Sequence, residues 1–340
     1  MVQSWKRIDI LKQFLSGDIG GTKTRLAVIE VSGTRVHVVR EASYPSRDYA
    51  AFESLLGDFL SGVEAPADIA LGIAGPVQGR VVQTTNLPWC IDADALQRQF
   101  GFARCTLLND LEATAYGLPA LGAEDLLILQ AGAPGACGNA AVIAAGTGLG
   151  EAGLLWNGQR HQPFATEGGH TSFSPGDELE IAFLHHLQQQ YRHVSWERVV
   201  SGMGLVSLHE FLCIRHNVAV PQWLAEEMRS GDAAAAISAA ALSGRDEICV
   251  ETLNRFVRLY GAEAGNLALK VMSRGGLYLG GGIAPKILPL LQAGAFLEAF
   301  LNKGRMRPLL EAMPVRVIMN DRAALFGPAL RAAQLAEGAT

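Results

Sequence analysis

The 340-residue sequence has few cysteines and no paired cysteine motif. The count is five, an odd number, and no two of them form a C-x-x-C pair. They stand at Cys90, Cys105, Cys137, Cys213 and Cys249. Disulfide frameworks of secreted proteins and cysteine zinc sites both depend on closely spaced pairs. We therefore expect small buried thiols in a reducing, cytoplasmic compartment.

Long apolar runs are also missing. No run approaches the ~18–20 residues that a membrane-spanning helix needs. The longest, Ala233–Leu242, has ten residues and predicts a packed helix. The first segment, Met1–Phe14, carries Lys6, Arg7 and Lys12 and lacks a signal-peptide pattern. We expect no membrane partner.

The charge balance excludes further classes of protein. Lys and Arg total 28 and Asp and Glu total 33, which gives a net charge of −5. Nucleic-acid binding generally needs a basic face, so we expect no nucleic-acid partner. Hydrophobic residues make up 49% and charged residues 18% of the chain, which excludes a disordered protein. The length suggests about two domains.

Glycine is abundant, with 38 residues, and its spacing reveals a repeated layout. Gln13–Arg40 and Ala140–Ala165 each read as strand, glycine turn, strand, second turn and strand. The distance from Gly21 to Gly33 is 12 residues, and Gly146 to Gly158 is also 12. Each segment predicts the opening antiparallel meander of an α/β domain, and the pair suggests a duplicated architecture.

The remaining elements alternate between strand and helix. Further strands are predicted at Ile69–Ile73, Arg104–Leu108, Gly276–Leu279 and Val315–Met319. Helices are predicted at Tyr49–Gly62, Asp92–Phe100, Asp110–Leu118, Asp177–Arg192, Gly204–His216, Pro221–Arg229, Arg245–Ser273, Ala284–Leu291 and Ala323–Leu335. This alternation predicts a mostly parallel sheet in each of two domains. We place the domains at 1–119 plus 319–340 and at 120–318.

One glycine motif is misleading. Gly148-Leu-Gly-Glu-Ala-Gly153 matches G-x-G-x-x-G, the dinucleotide fingerprint. That fingerprint requires a helix after the glycines, because the pyrophosphate lies at the N-terminus of this helix. Here Asn157-Gly158 and Pro163 predict a hairpin instead, so a nicotinamide site is not expected.

Two glycine turns suit phosphate binding better. In Gly17-Asp-Ile-Gly-Gly-Thr-Lys23, adjacent glycines let backbone N–H groups converge on phosphate oxygens, and Thr22 can add a hydroxyl. The carboxylate of Asp18 is compatible with a nearby phosphate only if Mg²⁺ stands between them. Gly146-Thr147-Gly148 repeats the arrangement. The alternative is that both are ordinary tight turns.

Polar residues at other element ends are candidates for substrate contacts. Asn109-Asp110 follows a predicted strand, a common site position in α/β domains; the alternative for Asp110 is a helix N-cap. Glu167 and His170 flank two glycines, and together can accept and donate hydrogen bonds to hydroxyls. Glu197 is a further candidate. The alternative for His170 is an ordinary surface or core histidine, and the alternative for Glu197 is a solvated helix residue.

Taken together, the motifs resemble the bacterial glucokinase family. They occur in one order: Asp18-Ile-Gly-Gly-Thr, Thr84-Thr85-Asn86-Leu-Pro-Trp89, Leu108-Asn109-Asp110, Ala145-Gly-Thr-Gly-Leu-Gly150, Glu167-Gly-Gly-His170, Ser195-Trp-Glu-Arg-Val-Val-Ser-Gly202 and Leu279-Gly-Gly-Gly-Ile283. The likeness covers roughly residues 14 to 330. Met1–Gln13 is expected to be an extension outside the family pattern.

The resemblance implies an α/β fold with two ribonuclease-H-like domains of the actin-like ATPase/hexokinase type and an active-site cleft between them. It implies transfer of the γ-phosphate of ATP to the 6-hydroxyl of glucose, with Mg²⁺ bound to ATP and a homodimer as the assembly. Asp110 would be the general base. The phosphates would be held by Asp18, Ile19, Gly20, Gly21, Thr22, Lys23, Gly146, Thr147 and Gly148, and the adenosine would lie against Gly280–Gly282, with Gly281 central. The sugar would be held by Asn86, Asn109, Asp110, Glu167, His170 and Glu197.

A relative of this family, the ROK sugar kinases and repressors, carries a cysteine-rich zinc motif after a similar histidine. Here His170 is followed by Thr-Ser-Phe-Ser-Pro, so no zinc site is expected there. We expect no residue of the protein to bind a metal directly. Mg²⁺ would arrive with ATP and contact Asp18 through water. Three alternatives stay open: a kinase for another hexose, a non-catalytic sugar-sensing regulator and an actin-like filament-forming ATPase.

Overall fold

The computed structural model describes residues 12–84 and 86–338. They form two compact units. Unit 1 holds the described residues up to Gly122 together with those from Asn320 onwards, and unit 2 is Ala123–Met319. The predicted N-terminal extension therefore lies outside the described residues, except for Lys12 and Gln13, which begin the first strand.

The strands of unit 1 are β1 Lys12–Ile19, β2 Lys23–Ser32, β3 Arg35–Pro45, β4 Asp68–Ile73, β5 Val81–Gln83, β6 Cys90–Asp92 and β7 Arg104–Asn109. Its helices are α1 Phe52–Leu60, α2 Ala93–Phe100, α3 Asp110–Gly117 and α12 Ala323–Ala336. The strands of unit 2 are β8 Leu126–Gln130, β9 Ala140–Ala145, β10 Leu149–Trp156, β11 His161–Thr166, β12 Gly276–Gly280 and β13 Val315–Ile318. Its helices are α4 Glu178–Gln188, α5 Gly202–His216, α6 Gln222–Ser230, α7 Ala233–Leu242, α8 Glu247–Val271, α9 Leu288–Gln292, α10 Ala295–Leu301 and α11 Arg307–Glu311.

The main sheet of unit 1 has the order β3-β2-β1-β4-β7 and is covered on both faces. Successive side chains of a strand point to opposite faces, so Phe14 joins the cluster under α12 while Leu15 joins the cluster under α1 and α2. On the first face, α12 packs closely on α3. A Cβ added at Gly327 would overlap the Ala113 carbonyl, so glycine permits this approach.

The main sheet of unit 2 has the order β11-β10-β9-β12-β13-β8. Helix α8 supplies much of the core beneath it, including Phe256 and Tyr260, which are fully buried. The first five strands follow the same order as in unit 1: an antiparallel meander followed by two parallel strands. Unit 2 adds β8, antiparallel to β13.

The predicted meanders are confirmed, but the prediction of mostly parallel sheets is wrong. In the described residues, the main sheet of unit 1 has two antiparallel and two parallel pairs of strands. Unit 2 has three antiparallel and two parallel pairs. Helices and strands alternate only after each meander, so the parallel arrangement predicted from that alternation does not apply to the meander strands. The second hairpin turn is also longer than predicted, because Trp156 pairs with His161.

In the described part of the chain, no single helix is long and apolar enough to cross a membrane. Two consecutive segments, Ala284–Gln292 and Ala295–Leu301, meet the length and composition criteria only when taken together, and they are bent by 82°. Their apolar side chains lie in the core of unit 2, where Leu291, Phe296 and Phe300 are fully buried.

Candidate functional site

In unit 1, the candidate residues lie at one edge of the sheet. Strands β1, β4 and β7 are parallel neighbours, so their carboxyl ends meet there. The register pairs Ile19 with Ile73 and Ile73 with Asn109. The predicted phosphate turn and the Asn109-Asp110 pair therefore come from sequence-distant segments to the same edge.

The first phosphate turn is a tight connection between β1 and β2. The Gly20 N–H donates to the Lys23 carbonyl at 3.1 Å. Ser46, which the sequence analysis missed, anchors the turn: its hydroxyl donates to the Gly20 carbonyl at 2.8 Å and its N–H to the Thr22 carbonyl at 3.0 Å. Thr22 and Lys23 are exposed. The turn therefore presents polar groups to solvent on a fixed backbone.

Asn86 lies directly over this turn. A Cβ added at Gly21 would come within 2.7 Å of the Asn86 Cβ. Glycine is therefore needed at 21 for close approach, and the predicted sugar residue and the predicted phosphate turn are neighbours within unit 1. The preceding residue of the motif, Thr85, lies outside the described residues. The side chain of Ile19 is buried in the core, so only its backbone is available to a ligand.

Asp18 is held by an arginine that the sequence analysis also missed. Arg25 pairs with Asp18 across the β1–β2 hairpin, at 2.9 Å, and also donates to Asp321 Oδ2 at 2.8 Å. Burial alone would lower the pKa of the guanidinium, but the two carboxylates raise it overall, so Arg25 stays charged. The orientation of the Asp18 carboxylate beside the turn is thereby fixed.

Asn109, not Asp110, is the N-cap of α3. Asn109 Oδ1 accepts hydrogen bonds from the N–H groups of Leu111, at 3.0 Å, and Glu112, at 3.4 Å. Its amide nitrogen donates to the Gly75 carbonyl at 3.3 Å. The N-cap alternative for Asp110 is therefore wrong: Asp110 is the first residue of the helix, and its half-buried side chain lies beside the cap.

In unit 2, three predicted sugar residues come together. His170 Nε2 is 3.8 Å from Glu167 Oε2, and His170 Nδ1 is 4.0 Å from Glu197 Oε1. The Gly168–His170 turn brings the first two together, and the His170 N–H donates to the Glu167 carbonyl at 3.0 Å. Glu167 and His170 are about three-fifths exposed, whereas Glu197 is mostly covered, at 21%. The cluster presents acceptors and an imidazole to solvent.

Glu197 also supports the second glycine turn. Its Oε2 accepts a hydrogen bond from the Leu149 N–H at 3.0 Å, and a Cβ at Gly148 would overlap that same oxygen. The turn is closed by the Gly146 N–H donating to the Gly148 carbonyl at 2.8 Å. One carboxylate thus links the predicted sugar cluster with the predicted phosphate turn, which the sequence alone did not reveal.

Gly281 lies beside the base of this turn. It has a φ of +79°, and a Cβ there would overlap the Ala145 carbonyl at the end of β9. The Ile283 N–H donates to that carbonyl at 3.2 Å. The predicted adenosine loop and the second phosphate turn are therefore adjacent within unit 2.

Among the described residues, one other group has the side-chain types of a metal site: His209, Asp246 and Cys249. Asp246 caps α8 by accepting from the Cys249 N–H at 2.8 Å. Burial, followed by the Asp246 charge, raises the pKa of the Cys249 thiol to about 12. The thiol of Cys249 is protonated, and the Asp246 carboxylate is already used as a helix cap. The group is therefore best explained as packing within the helical core and not as a metal site.

The glucokinase family model matches residues 15–335. The chain belongs to the glucokinase family. A glucokinase of Nostoc punctiforme is 43% identical over 337 residues, covering 94% of this chain and 99% of the relative. A glucokinase of Caulobacter sp. is 35% identical, covering 93% and 94%.

Solved structures confirm the predicted actin-like ATPase/hexokinase fold class. A glucokinase from an Antarctic psychrotroph superposes with a TM-score of 0.82 at 31% identity, covering 95% of this chain and 99% of that one. A glucokinase of Balamuthia mandrillaris, crystallised with glucose, has a TM-score of 0.78 at 23% identity, covering 96% and 95%. At that identity the likeness concerns the fold.

Proposed function

We propose that this enzyme of the glucokinase family transfers the γ-phosphate of ATP to the 6-hydroxyl of glucose. Family membership over residues 15–335 supports the reaction class. The single structural observation that carries the substrate assignment is the cluster of Glu167, His170 and Glu197 beside the Gly146–Gly148 turn. The two compact units are taken as the two domains.

In this proposal, the backbone of both glycine turns binds the ATP phosphates. Phosphoryl transfer depends mainly on positioning and on charge neutralisation. The donors fit a magnesium–nucleotide complex, since Mg²⁺ favours one carboxylate together with substrate phosphates and water. Asp18, held by Arg25, is the carboxylate that would contact this ion through water. When bound, Mg²⁺ supplies neutralisation of the phosphate charge.

Asp110 accepts the proton of the sugar 6-hydroxyl. Asn109 caps α3, and Asp110 Oδ1 accepts from the same Leu111 N–H at 2.9 Å, which orients the carboxylate at the start of the helix. Thr114 Oγ1 donates to the Asp110 carbonyl at 3.0 Å, which supports the backbone of this first helical turn. Proton transfer to such a positioned base typically accelerates a reaction ~10²–10⁴-fold.

Glu167, His170 and Glu197 select the sugar by accepting hydrogen bonds from its hydroxyls. A missing or inverted hydroxyl would leave a desolvated acceptor without a partner, which is costly. Asn86 and Asn109 would complete the sugar contacts. We also propose that the enzyme is a homodimer, as the family resemblance implied, and that it acts in the cytoplasm, as the cysteine content suggested.

The decisive experiment measures sugar-dependent release of ADP by the purified full chain. Glucose, mannose, fructose and glucosamine are compared at equal concentrations with ATP and Mg²⁺. Glucose is expected to give the highest kcat/KM, and the product should carry phosphate at O6. A higher kcat/KM for another hexose would reassign the substrate, and release of ADP that no sugar stimulates would contradict the proposal. Light scattering on the same sample measures the assembly.

A further inference from the structure

A second acid, Glu151, lies beneath the sugar-binding turn and was assigned no role. It stands on β10, three residues after the Gly146–Gly148 turn, and is only 2% exposed. A Cβ added at Gly168 would overlap the Glu151 Oε2 atom, so the carboxyl group packs directly against the Gly168–His170 turn.

The backbone of Glu151 holds the same turn. Thr166 Oγ1 donates to the Glu151 carbonyl at 2.9 Å and accepts from the Gly168 N–H at 3.3 Å. Thr166 also pairs with Glu151 across the β10–β11 hairpin. Glu167 and His170 are therefore attached to a segment whose position depends on Glu151.

A second buried carboxyl group faces Glu151 from α8. Glu263 is fully buried and lies within hydrogen-bonding reach of Glu151. Glu263 accepts from Asn266 Nδ2 at 2.8 Å and from Lys270 Nζ at 3.4 Å. Among the described residues, buried Glu151 Oε1 receives no hydrogen bond from a backbone or side-chain donor, so it needs a proton on one of the two acids. Burial raises the pKa of Glu263 as well, but the hydrogen bonds from Asn266 and Lys270 oppose that rise and favour the proton on Glu151 rather than on Glu263.

Two adjacent buried carboxylates cannot both be charged at low cost. Burial, and next the charge on Glu263, raise the pKa of Glu151 to about 8, against an ordinary value of 4.5. Lys270 acts in the opposite direction. The other titratable groups around the acid are Tyr260 on α8, Glu167 and His170 on the turn, Glu197 beyond the turn, and Lys303, which binds Asn266 Oδ1 at 2.7 Å.

We propose that Glu151 is a positioning residue of the sugar site: as a neutral acid sharing its proton with Glu263 it supports the Glu167–His170 turn, and loss of that proton at alkaline pH displaces the turn and weakens glucose binding. This inference rests on the proposed function. It predicts a rise in the KM for glucose at alkaline pH while kcat changes little, because the turn that Glu151 supports carries two of the proposed sugar contacts and not the proposed base.

The test compares the wild type with E151Q, which keeps the shape of the side chain but cannot ionise. The KM for glucose and kcat are measured from neutral pH to about pH 9.5. Above about pH 8, wild-type KM should rise by up to about tenfold per pH unit, the limit for losing one proton. E151Q should lack this rise. E210Q, at an exposed glutamate of α5, is the matched control and should follow the wild type.

A second variant protects the test against a fold defect in E151Q. Lys270 is about half exposed, and its charge lowers the pKa of Glu151. K270M should therefore shift the KM rise to higher pH. If E151Q follows the wild-type pH profile, or K270M leaves the profile where it was, the proposal is overturned.

A readout independent of catalysis separates this proposal from the proposed function. The infrared carbonyl band of a protonated carboxylic acid should be present at pH 7, disappear as pH rises through about 8, and be missing in E151Q. If the wild type shows this band but does not phosphorylate glucose, the assigned reaction fails while the shared proton stands. If the band is absent at pH 7, the shared proton is refuted even in an active enzyme.

Discussion

The two units use the same strand order to build two glycine turns, yet they fix these turns by different chemistry. In unit 1, Ser46 holds the backbone of the turn and Arg25 holds the carboxylate of Asp18. In unit 2, the carboxylate of Glu197 holds the turn directly through the Leu149 N–H.

This difference shows how one scaffold can support two roles. In unit 1, the acid beside the turn is paired with a cation, which suits a group expected to work near a metal–phosphate complex. In unit 2, the acid is shared between the turn and His170. A substitution at the glycine turn of unit 1 or at Asp110 should therefore affect either ATP binding or chemistry, whereas loss of Glu197 should affect binding of both substrates.

The largest effect is expected from D110N in unit 1. Without a base for the 6-hydroxyl, kcat should fall ~10²–10⁴-fold while the affinity for glucose stays close to that of the wild type. Steady-state kinetics and glucose titration by calorimetry measure the two quantities. E112Q, a nearby carboxyl group on the same helix, is the control and should retain most of kcat. Near-normal turnover by D110N would remove Asp110 from the mechanism.

The next effect is expected from E197A in unit 2. Loss of an acceptor for the Leu149 N–H and for the sugar should raise the KM values for glucose and for ATP together, each by ~10–100-fold, the range for a hydrogen bond to a charged group. E178A, at an exposed first-turn residue of α4, is the matched control. A rise confined to glucose would show that Glu197 does not support nucleotide binding, and would break the contrast between the units.

The smallest effect is expected from G21A in unit 1. The added methyl group would stand 2.7 Å from Asn86 Cβ and should shift the turn, raising the KM for ATP a few-fold. The double variant G21A/N86G removes the opposing Cβ and should restore the KM for ATP, although glucose binding would lose the contact we assign to Asn86. Failure of this rescue would mean that the crowding with Asn86 does not control the turn.

Local patterns predicted the elements whose signals are contiguous in sequence. The first meander turns at Gly33, which has a φ of +61°, and Ser32 pairs with Arg35 as a two-residue hairpin requires. Helix α8 was predicted because its apolar positions recur at helical spacing over seven turns.

Short elements escaped prediction because they carry too few residues for a periodic signal. The unpredicted elements are β5, β6, β8, α10 and α11, each with three to seven residues. Strand β8 carries a run of four apolar residues, Leu126–Leu129, but a run this short does not distinguish a strand from a segment of helix.

Sequence patterns predicted the glycine turns and strand-end polar residues of the candidate site, because those signals occupy a few neighbouring positions. Three contacts could be found only in the folded chain: Arg25 with Asp321, Glu197 with the second turn, and Glu151 with Glu263. Each of these pairs joins segments far apart in the chain. Hydrogen bonds and shared protons depend on distances of a few ångströms in space, and the separation of two residues in sequence does not fix those distances.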